Sequence, residues 1–509
     1  MQSMRGHSLF MRRTKIVCTI GPASSSEERL EQLMLAGMNV ARLNFSHGSH
    51  EEHAAVIERI RRISRRLGWP VAILQDLQGP KIRVGSLPDG QPLRLVPGSQ
   101  VIVATRMPAT NGEGAPLEGK SAELPVIPTT YGLLAQDVKP GDRILLDDGL
   151  MELRVLASDG LSARCLVIHG GLLKEHKGMN LPGVTVSAPA LSEKDRSDLR
   201  FGVQHDVDYV ALSFVRRPED VLEARRFLQS LQAELAAEEG HSRPPGSIPL
   251  IVKLEKPEAV ARLDEILEVA DGLMVARGDL GVEMSLEKVP LIQKRVIARC
   301  NELGLPVITA TQMLESMVTN PTPTRAEVAD VSNALLDGTD AVMLSAETAS
   351  GSYPVEAVAM MVRIIQETEA DDRTAQPPQC RRLSQEHAVS HAARALSEEA
   401  SVRAIVVFTR SGNSARLISK DRPRRPILAY TPSERVYRQL ALWWGVWPRL
   451  IEMHGTTEEL IATVEQRLLS DHLLAEGEHV VIMGGLPVAS RARTNFVKLH
   501  RIGEGHISG

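Results

Sequence analysis

Two short segments set chemistry-bearing side chains directly behind apolar runs: Met274-Val275-Ala276-Arg277-Gly278-Asp279-Leu280-Gly281 and Ala310-Thr311-Gln312-Met313-Leu314-Glu315-Ser316. Upstream, a third run closes on Val252-Lys253-Leu254-Glu255. Glu255 and Asp279 offer two carboxylates to a hard divalent cation, and Lys253 offers an ammonium to a phosphate. Residues two apart share one face of a strand, so Lys253 and Glu255 point the same way. A buried Lys–Glu ion pair is the bland alternative, and the other run-end groups weigh against it. Arg42 and Asn44, Asp76, Ser213, Thr311, and Ser345 with Glu347 all stand where an apolar run stops. Packing alone does not ask for a polar side chain at nearly every strand end, whereas an α/β barrel keeps its chemistry on that rim.

The elements that would carry these groups recur along the chain. Short apolar runs at 15–19, 38–43, 71–76, 209–214, 250–255, 272–275, 307–310 and 341–344 alternate with segments of helical period, the pattern of repeated βα units. Ser25 with Glu28, and Ser49 with Glu52, read as capping boxes that open two of the helices. Eight such units predict a (β/α)8 TIM barrel rather than an open sheet. The rhythm breaks after the third strand, where residues 77–191 precede the next helix. Turns at Pro88-Asp89-Gly90, Pro97-Gly98, Lys139-Pro140-Gly141-Asp142 and Asp147-Asp148-Gly149 separate short alternating stretches such as 100–104 and 143–146, which predicts a small all-β domain. Leaving from a strand's C-terminal end, it would sit over the barrel mouth as a lid that excludes water during transfer. After a helix near 354–367, residues 370–383 read as a linker into a C-terminal α/β domain with strands at 404–409, 426–430 and 479–483. The expected layout is a barrel in two parts (1–79 and 189–369), an inserted β-rich lid (80–188) and the C-terminal α/β domain (370–509).

Composition narrows the function. A chain of 509 residues is too long for one core, and 59 basic against 63 acidic side chains give no polyanion-binding surface. Nucleic acid is not an expected partner. Cys18, Cys165, Cys300 and Cys380 lack C-x-x-C spacing, which argues against a zinc site or a disulfide scaffold and fits a reducing cytoplasm. The basic N-terminus has no apolar segment, and no run approaches the ~20 apolar residues of a membrane span. Gly114-Ala115-Pro116-Leu117-Glu118-Gly119-Lys120-Ser121 matches the P-loop pattern, but Pro125 and Pro128 stand where its helix should run. It reads as an exposed loop. His50-Glu51-Glu52-His53 has its histidines three apart and no third ligand, and reads as a solvated first helical turn. Arg61, Arg62, Arg65 and Arg66 read as one basic helix face.

Arg42-Leu43-Asn44-Phe45-Ser46-His47-Gly48, Val252–Glu255, Ala276–Asp279, Ala310–Ser316 and Met343-Leu344-Ser345-Ala346-Glu347-Thr348 resemble pyruvate kinase. The likeness spans almost the whole chain. It implies transfer of the phosphoryl group of phosphoenolpyruvate to ADP, giving ATP and pyruvate, the final step of glycolysis. By the same resemblance Glu255 and Asp279 would hold Mg²⁺ or Mn²⁺, Lys253 would stabilise the moving charge, and Arg42 would contact the phosphoryl group. The backbone of Ala276, Arg277 and Gly278, with the Thr311 hydroxyl, would orient the substrate carboxylate, and Ser213 would line the same site. Thr311 and Ser345, through water, are candidates for relaying a proton to the enolate. Asn44, Arg83 and Lys177 would meet the nucleotide, whose own metal would be held mostly by phosphates and water. A homotetramer is also implied.

The chain departs from the family pattern in two informative places. Many members bind a monovalent cation through Asn, Ser, Asp and Thr, which correspond here to Asn44, Ser46, Asp76 and then Leu77, a residue that cannot ligate an ion. Lys81 stands where K⁺-dependent members carry Glu, and Gln78 where they usually carry Lys. An internal ammonium in place of K⁺ predicts K⁺-independent activity. In the C-terminal domain, Thr409-Arg410-Ser411-Gly412-Asn413-Ser414-Ala415 opens a helix after a strand, a candidate anion site. The same loop in the family binds a sugar-phosphate activator, so a sugar-phosphate or AMP effector is expected at Thr409, Arg410, Ser411, Gly412, Asn413 and Ser414. Arg422, Arg424 and Arg425 would add positive charge, and 490–495 would close over the ligand. A capped helix with a solvated loop is the alternative. Two rival functions remain in view. One is another Mg²⁺-dependent barrel enzyme acting on phosphoenolpyruvate or pyruvate, against which the lid and Lys177 argue. The other is a catalytically silent metabolite sensor, against which Lys253, Glu255, Asp279 and Thr311 argue.

Overall fold

The computed structural model describes residues 12–105, 124–187, 189–239, 248–375, 384–453, 456–486 and 493–504. Strands that read as continuous Val, Ile and Leu runs suit a sheet covered on both faces. Eight of them form a closed, all-parallel barrel: Lys15–Ile20, Val40–Asn44, Ala72–Asp76, Tyr209–Leu212, Leu250–Leu254, Gly272–Ala276, Val307–Ala310 and Ala341–Leu344. They pair in sequence order, and the eighth closes on the first with Lys15 opposite Ala341 and Cys18 opposite Leu344. Alternate positions such as Val17, Leu74, Ile251, Met274 and Ile308 cluster in the barrel interior. The intervening ones, such as Ile16, Ile73, Val252 and Val275, pack against the helices.

Ser49 opens the helix His50–Leu67 with the expected reciprocal capping box to Glu52. The other box is corrected: the helix Glu27–Ala36 starts one residue later, with Ser26 as cap. Its third residue is then Arg29, which cannot return a hydrogen bond to the cap. The paired histidines are corrected too. His53 is buried, stacked on Phe45 with ring centroids 4.2 Å apart, and His50 lies 2.7 Å from Asp198. The arginines of this helix diverge as well: Arg61 turns inward to Asp208 at 2.9 Å, while Arg62 and Arg66 pair with Glu27 and Glu31.

Between barrel strand three and the helix Glu193–Gln204 lies a six-stranded sheet. Its order is Met179–Asn180, Arg143–Leu146, Met151–Ser158, Ser162–His169, Gln100–Ala104 and Val126–Pro128, around a core that includes Val103, Ile144 and Leu153. The P-loop-like segment 114–121 lies outside the described residues. This lid touches the barrel rim where Asn180 Nδ2 donates to Glu283 Oε1 at 2.7 Å.

The C-terminal sheet runs Val446–Leu450, Ile427–Thr431, Val402–Phe408, His479–Gly484 and Phe496–Arg501, with only the last strand antiparallel. Sequence reading finds its three central strands and misses both edges. Val446–Leu450 contains Pro448, which an edge strand tolerates, and Phe496–Arg501 is too polar and exposed to read as apolar. The domain seats on the N-terminal end of the barrel through buried ion pairs. Lys420 and Arg422 reach Asp340 at 2.6 and 2.9 Å, and Arg438 reaches Asp208 at 2.8 Å. Cys18, Cys165 and Cys300 are free and buried, and Cys380 lies outside the described residues. No helix among the described residues is long and apolar enough to cross a membrane.

Candidate active site

Each barrel strand ends its apolar alternation on the same rim, so the side chains that follow converge there. Lys253 Nζ lies 2.7 Å from Glu255 Oε1, 2.9 Å from Ser213 Oγ and 3.5 Å from Asp76 Oδ1. Asp76 also lies 2.6 Å from Arg42 Nε, and Arg42 Nη1 donates to Thr19 Oγ1 at 3.0 Å. Cations and carboxylates thus alternate across strands two, three and five. Burial works against the Lys253 charge, yet Asp76, Glu255 and Asp279 together hold the ammonium above its ordinary value. Burial likewise works against Asp76, and Lys253 with Arg42 reverses it, holding the carboxyl below the usual range. Glu255 is pushed upward by burial and further by Asp279, against the pull of Lys253, while its Oε2 accepts from Phe214 N at 2.6 Å. A carboxyl raised by burial and by a second carboxylate beside it belongs to a donor set a hard dication would satisfy. Among the described residues no group of three or more His, Cys, Asp or Glu is placed to hold a metal, so these two would leave most of the coordination shell to substrate and water.

The loops after strands six, seven and eight are braced against each other. Gly278 N donates to Thr311 Oγ1 at 2.8 Å, and Thr311 Oγ1 donates to Ala310 O at 2.6 Å. Thr311 (φ 71°) and Gln312 (φ 56°) both adopt the left-handed conformation, which costs a β-branched residue roughly 1–3 kcal/mol and persists only where the surroundings enforce it. Arg277 does the enforcing: Nη2 donates to Thr311 O at 2.7 Å while Nη1 pairs with Asp330 at 2.6 Å. Buried Glu347 joins the next two loops, accepting from Leu314 N at 3.0 Å and from Ser345 N at 2.6 Å. Ser345 Oγ is buried and has no hydrogen-bond partner among the described residues.

The remaining predicted groups sit around this cluster. Asn44 Oδ1 accepts from Ser46 N at 3.1 Å, and Leu77 is buried in the apolar core beside Asp76. Burial, then Arg83, Lys81 and Arg42, lower the His47 imidazole, so three cations face the loop after strand two. Arg83 Nη1 donates to His176 O at 3.0 Å, and Lys177 lies 2.8 Å from Asp147. In the C-terminal domain Thr409 Oγ1 accepts from Gly412 N at 2.9 Å, Ser414 Oγ meets Thr494 Oγ1 at 2.7 Å, and Arg410 Nη2 donates to Met453 O. The expected basic supplement is corrected. Arg422 is buried on Asp340, Arg424 faces Glu398, and Arg425 Nε donates to Ser397 O. Helix Asn413–Lys420 carries the chain away from the loop before these arginines begin. Residues 490–492 lie outside the described residues. Sequence reading missed Thr19, the Arg277 side chain and the bracing role of Glu347; no spacing signal marks Thr19, while the acidic residue just beyond Ser345 was a usable sign.

A closed parallel barrel with a charged cluster on its C-terminal rim and a lid inserted after strand three defines the class: a (β/α)8-barrel enzyme with an appended α/β domain. Residues 11–358 match the family model for the pyruvate kinase barrel domain, and residues 387–500 match that for the pyruvate kinase alpha/beta domain. Pyruvate kinases of Staphylococcus epidermidis (strain ATCC 35984) and Staphylococcus haemolyticus (strain JCSC1435) are 46% and 47% identical, with 98% of this chain and 82% of each relative covered. The crystal structure of a pyruvate kinase from Cryptosporidium parvum aligns with a TM-score of 0.87 at 34% identity, covering 99% of both chains. The chain belongs to the pyruvate kinase family, a family of phosphotransferases.

Proposed function

We propose that the chain transfers the phosphoryl group of phosphoenolpyruvate to ADP, giving ATP and, after protonation of the enolate, pyruvate. The observation that carries this reading is the meeting of Lys253 and Arg42 on Asp76 and Glu255 at the rim. Phosphoryl transfer needs positioning and charge neutralisation more than covalent chemistry. Arg42, anchored on Asp76 and Thr19, directs its remaining N–H groups to the phosphoryl oxygens. Lys253, kept charged by its carboxylates, neutralises the moving group. Glu255 and Asp279 would hold the divalent ion, Mg²⁺ or Mn²⁺, which would supply Lewis-acid charge to the substrate. The backbone of Ala276, Arg277 and Gly278, with Thr311 and Ser213, orients the substrate. Thr311 and Ser345 relay the proton through water, a role the unpartnered Ser345 hydroxyl supports. Asn44, Arg83 and Lys177 receive ADP, with Lys177 leaving Asp147 for phosphate. In an assay coupled to lactate dehydrogenase, NADH loss should require both phosphoenolpyruvate and ADP; no turnover with a divalent ion present would overturn the reading.

The same proposal extends to cations and regulation. Apolar Leu77 and the convergence of Lys81, Arg83 and Arg42 near His47 support K⁺-independent activity, with Lys81 in the place of the ion. Rates in KCl and tetramethylammonium chloride at matched ionic strength should agree, and a many-fold rise in KCl would refute this. The loop Thr409–Ser414, closed by Thr494, suits an activator of the sugar-phosphate or AMP type. We place the protein in the cytoplasm as a homotetramer and divide the chain after residues 79, 188 and 369.

A further inference from the structure

A cavity of about 270 Å³ lies at the end of the barrel opposite the charged rim, between the barrel and the C-terminal domain. Tyr209 and Leu305 line it from the barrel, and Arg416, Leu417 and Trp443 from the domain. Most of its charged groups already have partners. Asp271 pairs with Arg225 at 2.8 Å, Asp421 with His391 at 3.0 Å, and Lys420 with Asp340 at 2.6 Å. Arg416 differs. Its guanidinium lies over the Trp443 ring, 5.4 Å from the centroid, and its buried Nε has no hydrogen-bond acceptor among the described residues.

Arg416 is only partly buried and makes no ion pair with a carboxylate among the described residues, so its guanidinium on the cavity wall is left to take an anion. We propose that the cavity binds a small organic anion, a carboxylate or phosphate carried on a flat apolar body. The anionic oxygens meet the Arg416 guanidinium where it lines the cavity, and the body rests between Trp443, Leu305 and Leu417. The volume is near the lower end of small-molecule sites, roughly 300–1,000 Å³, which suits one ring with its substituent rather than a nucleotide. The position gives such a ligand a regulatory path. Arg416 lies on helix Asn413–Lys420, whose first two residues close the loop Thr409–Ser414 and whose last residue is tied to Asp340 of the barrel. An anion here therefore biases the same helix from its flank, independently of the rim chemistry.

Isothermal titration of the full chain without divalent metal tests this, with benzoate and phenyl phosphate as probes and acetate and inorganic phosphate as anions lacking the flat body. Saturable binding of benzoate or phenyl phosphate at one per chain is expected, and the stronger of the two distinguishes a carboxylate from a phosphate site. Arg416→Gln should weaken it by about ten-fold or more, and Leu417→Trp, which fills the cavity, should abolish it even if Arg416→Gln fails to fold. Lys253→Met and Arg410→Ala should bind as the wild type does. Absence of saturable binding by both aromatic anions, or wild-type affinity in folded Arg416→Gln or Leu417→Trp, would overturn the proposal. So would loss of binding in Lys253→Met or Arg410→Ala, which would move the anion to the rim or to the effector loop. Equal affinity for acetate or inorganic phosphate would overturn the requirement for a flat body.

Discussion

Replacing Asp76 by Asn removes one negative charge from between two cations while keeping the side chain's shape. Arg42 Nε stands 2.6 Å and Lys253 Nζ 3.5 Å from that carboxylate. Lys253 retains Glu255 at 2.7 Å, whereas Arg42 has no second carboxylate among the described residues. The loss therefore falls mainly on Arg42. Leaving a buried charge uncompensated costs about 3–5 kcal/mol. Arg42 remains slightly exposed and keeps Thr19, which favours the lower end, about 3 kcal/mol. A guanidinium displaced by ~1 Å from the phosphoryl oxygens costs about 100-fold in rate, so kcat/KM for phosphoenolpyruvate should fall by about that factor, roughly 2.7 kcal/mol of transition-state stabilisation. Coupled initial rates together with a melting curve read both effects. An Asn variant within about two-fold of wild type in kcat/KM, with unchanged melting, would show that neither cation depends on Asp76. Recovery of the variant by KCl would instead assign Asp76 to a monovalent ion and refute the role given to Lys81.

Two further outcomes follow from buried groups. Glu347→Ala leaves the N–H groups of Leu314 and Ser345 without acceptors, so stability should drop by roughly 2–4 kcal/mol and kcat should fall while KM for ADP holds; an unchanged kcat would show that the two loops do not need the brace. Lys15 is held near about 7 by burial, with Arg12 adding to the effect and Glu369 opposing it, while its Nζ still donates to Val446 O at 2.6 Å. Above that value and below the ordinary lysine range the unfolded chain binds a proton the folded chain has released. Stability from this group therefore rises with pH, by ~1.4 kcal/mol per unit, and the full penalty stands below pH about 7. Relative to Lys15→Met, the wild-type melting temperature should climb between about pH 7 and pH 9, and parallel profiles would contradict the assignment.

The barrel was legible because strands buried on both faces carry unbroken apolar runs whose ends are marked by polar residues. Boundaries slipped where backbone conformation decides: the fourth strand stops at Leu212, and Phe214 beyond it turns left-handed at φ 57°. The edge strands of the C-terminal sheet were illegible because edges tolerate Pro448 and exposed charge. At the rim, which residues gather was readable from strand ends, but which pair with which was not. Asp76 meets Lys253 across a gap that strand order bridges only through the intervening fourth strand. Arg422 shows the opposite error: close in sequence to a candidate anion loop, it is buried at the barrel because a helix intervenes.

The central claim is that Lys253 neutralises the moving phosphoryl charge while Glu255 and Asp279 hold the metal. Lys253→Met, assayed for turnover by the coupled reaction and for Mn²⁺ by electron paramagnetic resonance, tests it most directly. Turnover should fall by at least about 100- to 1,000-fold while Mn²⁺ binding persists. Turnover close to that of the wild type would contradict the account.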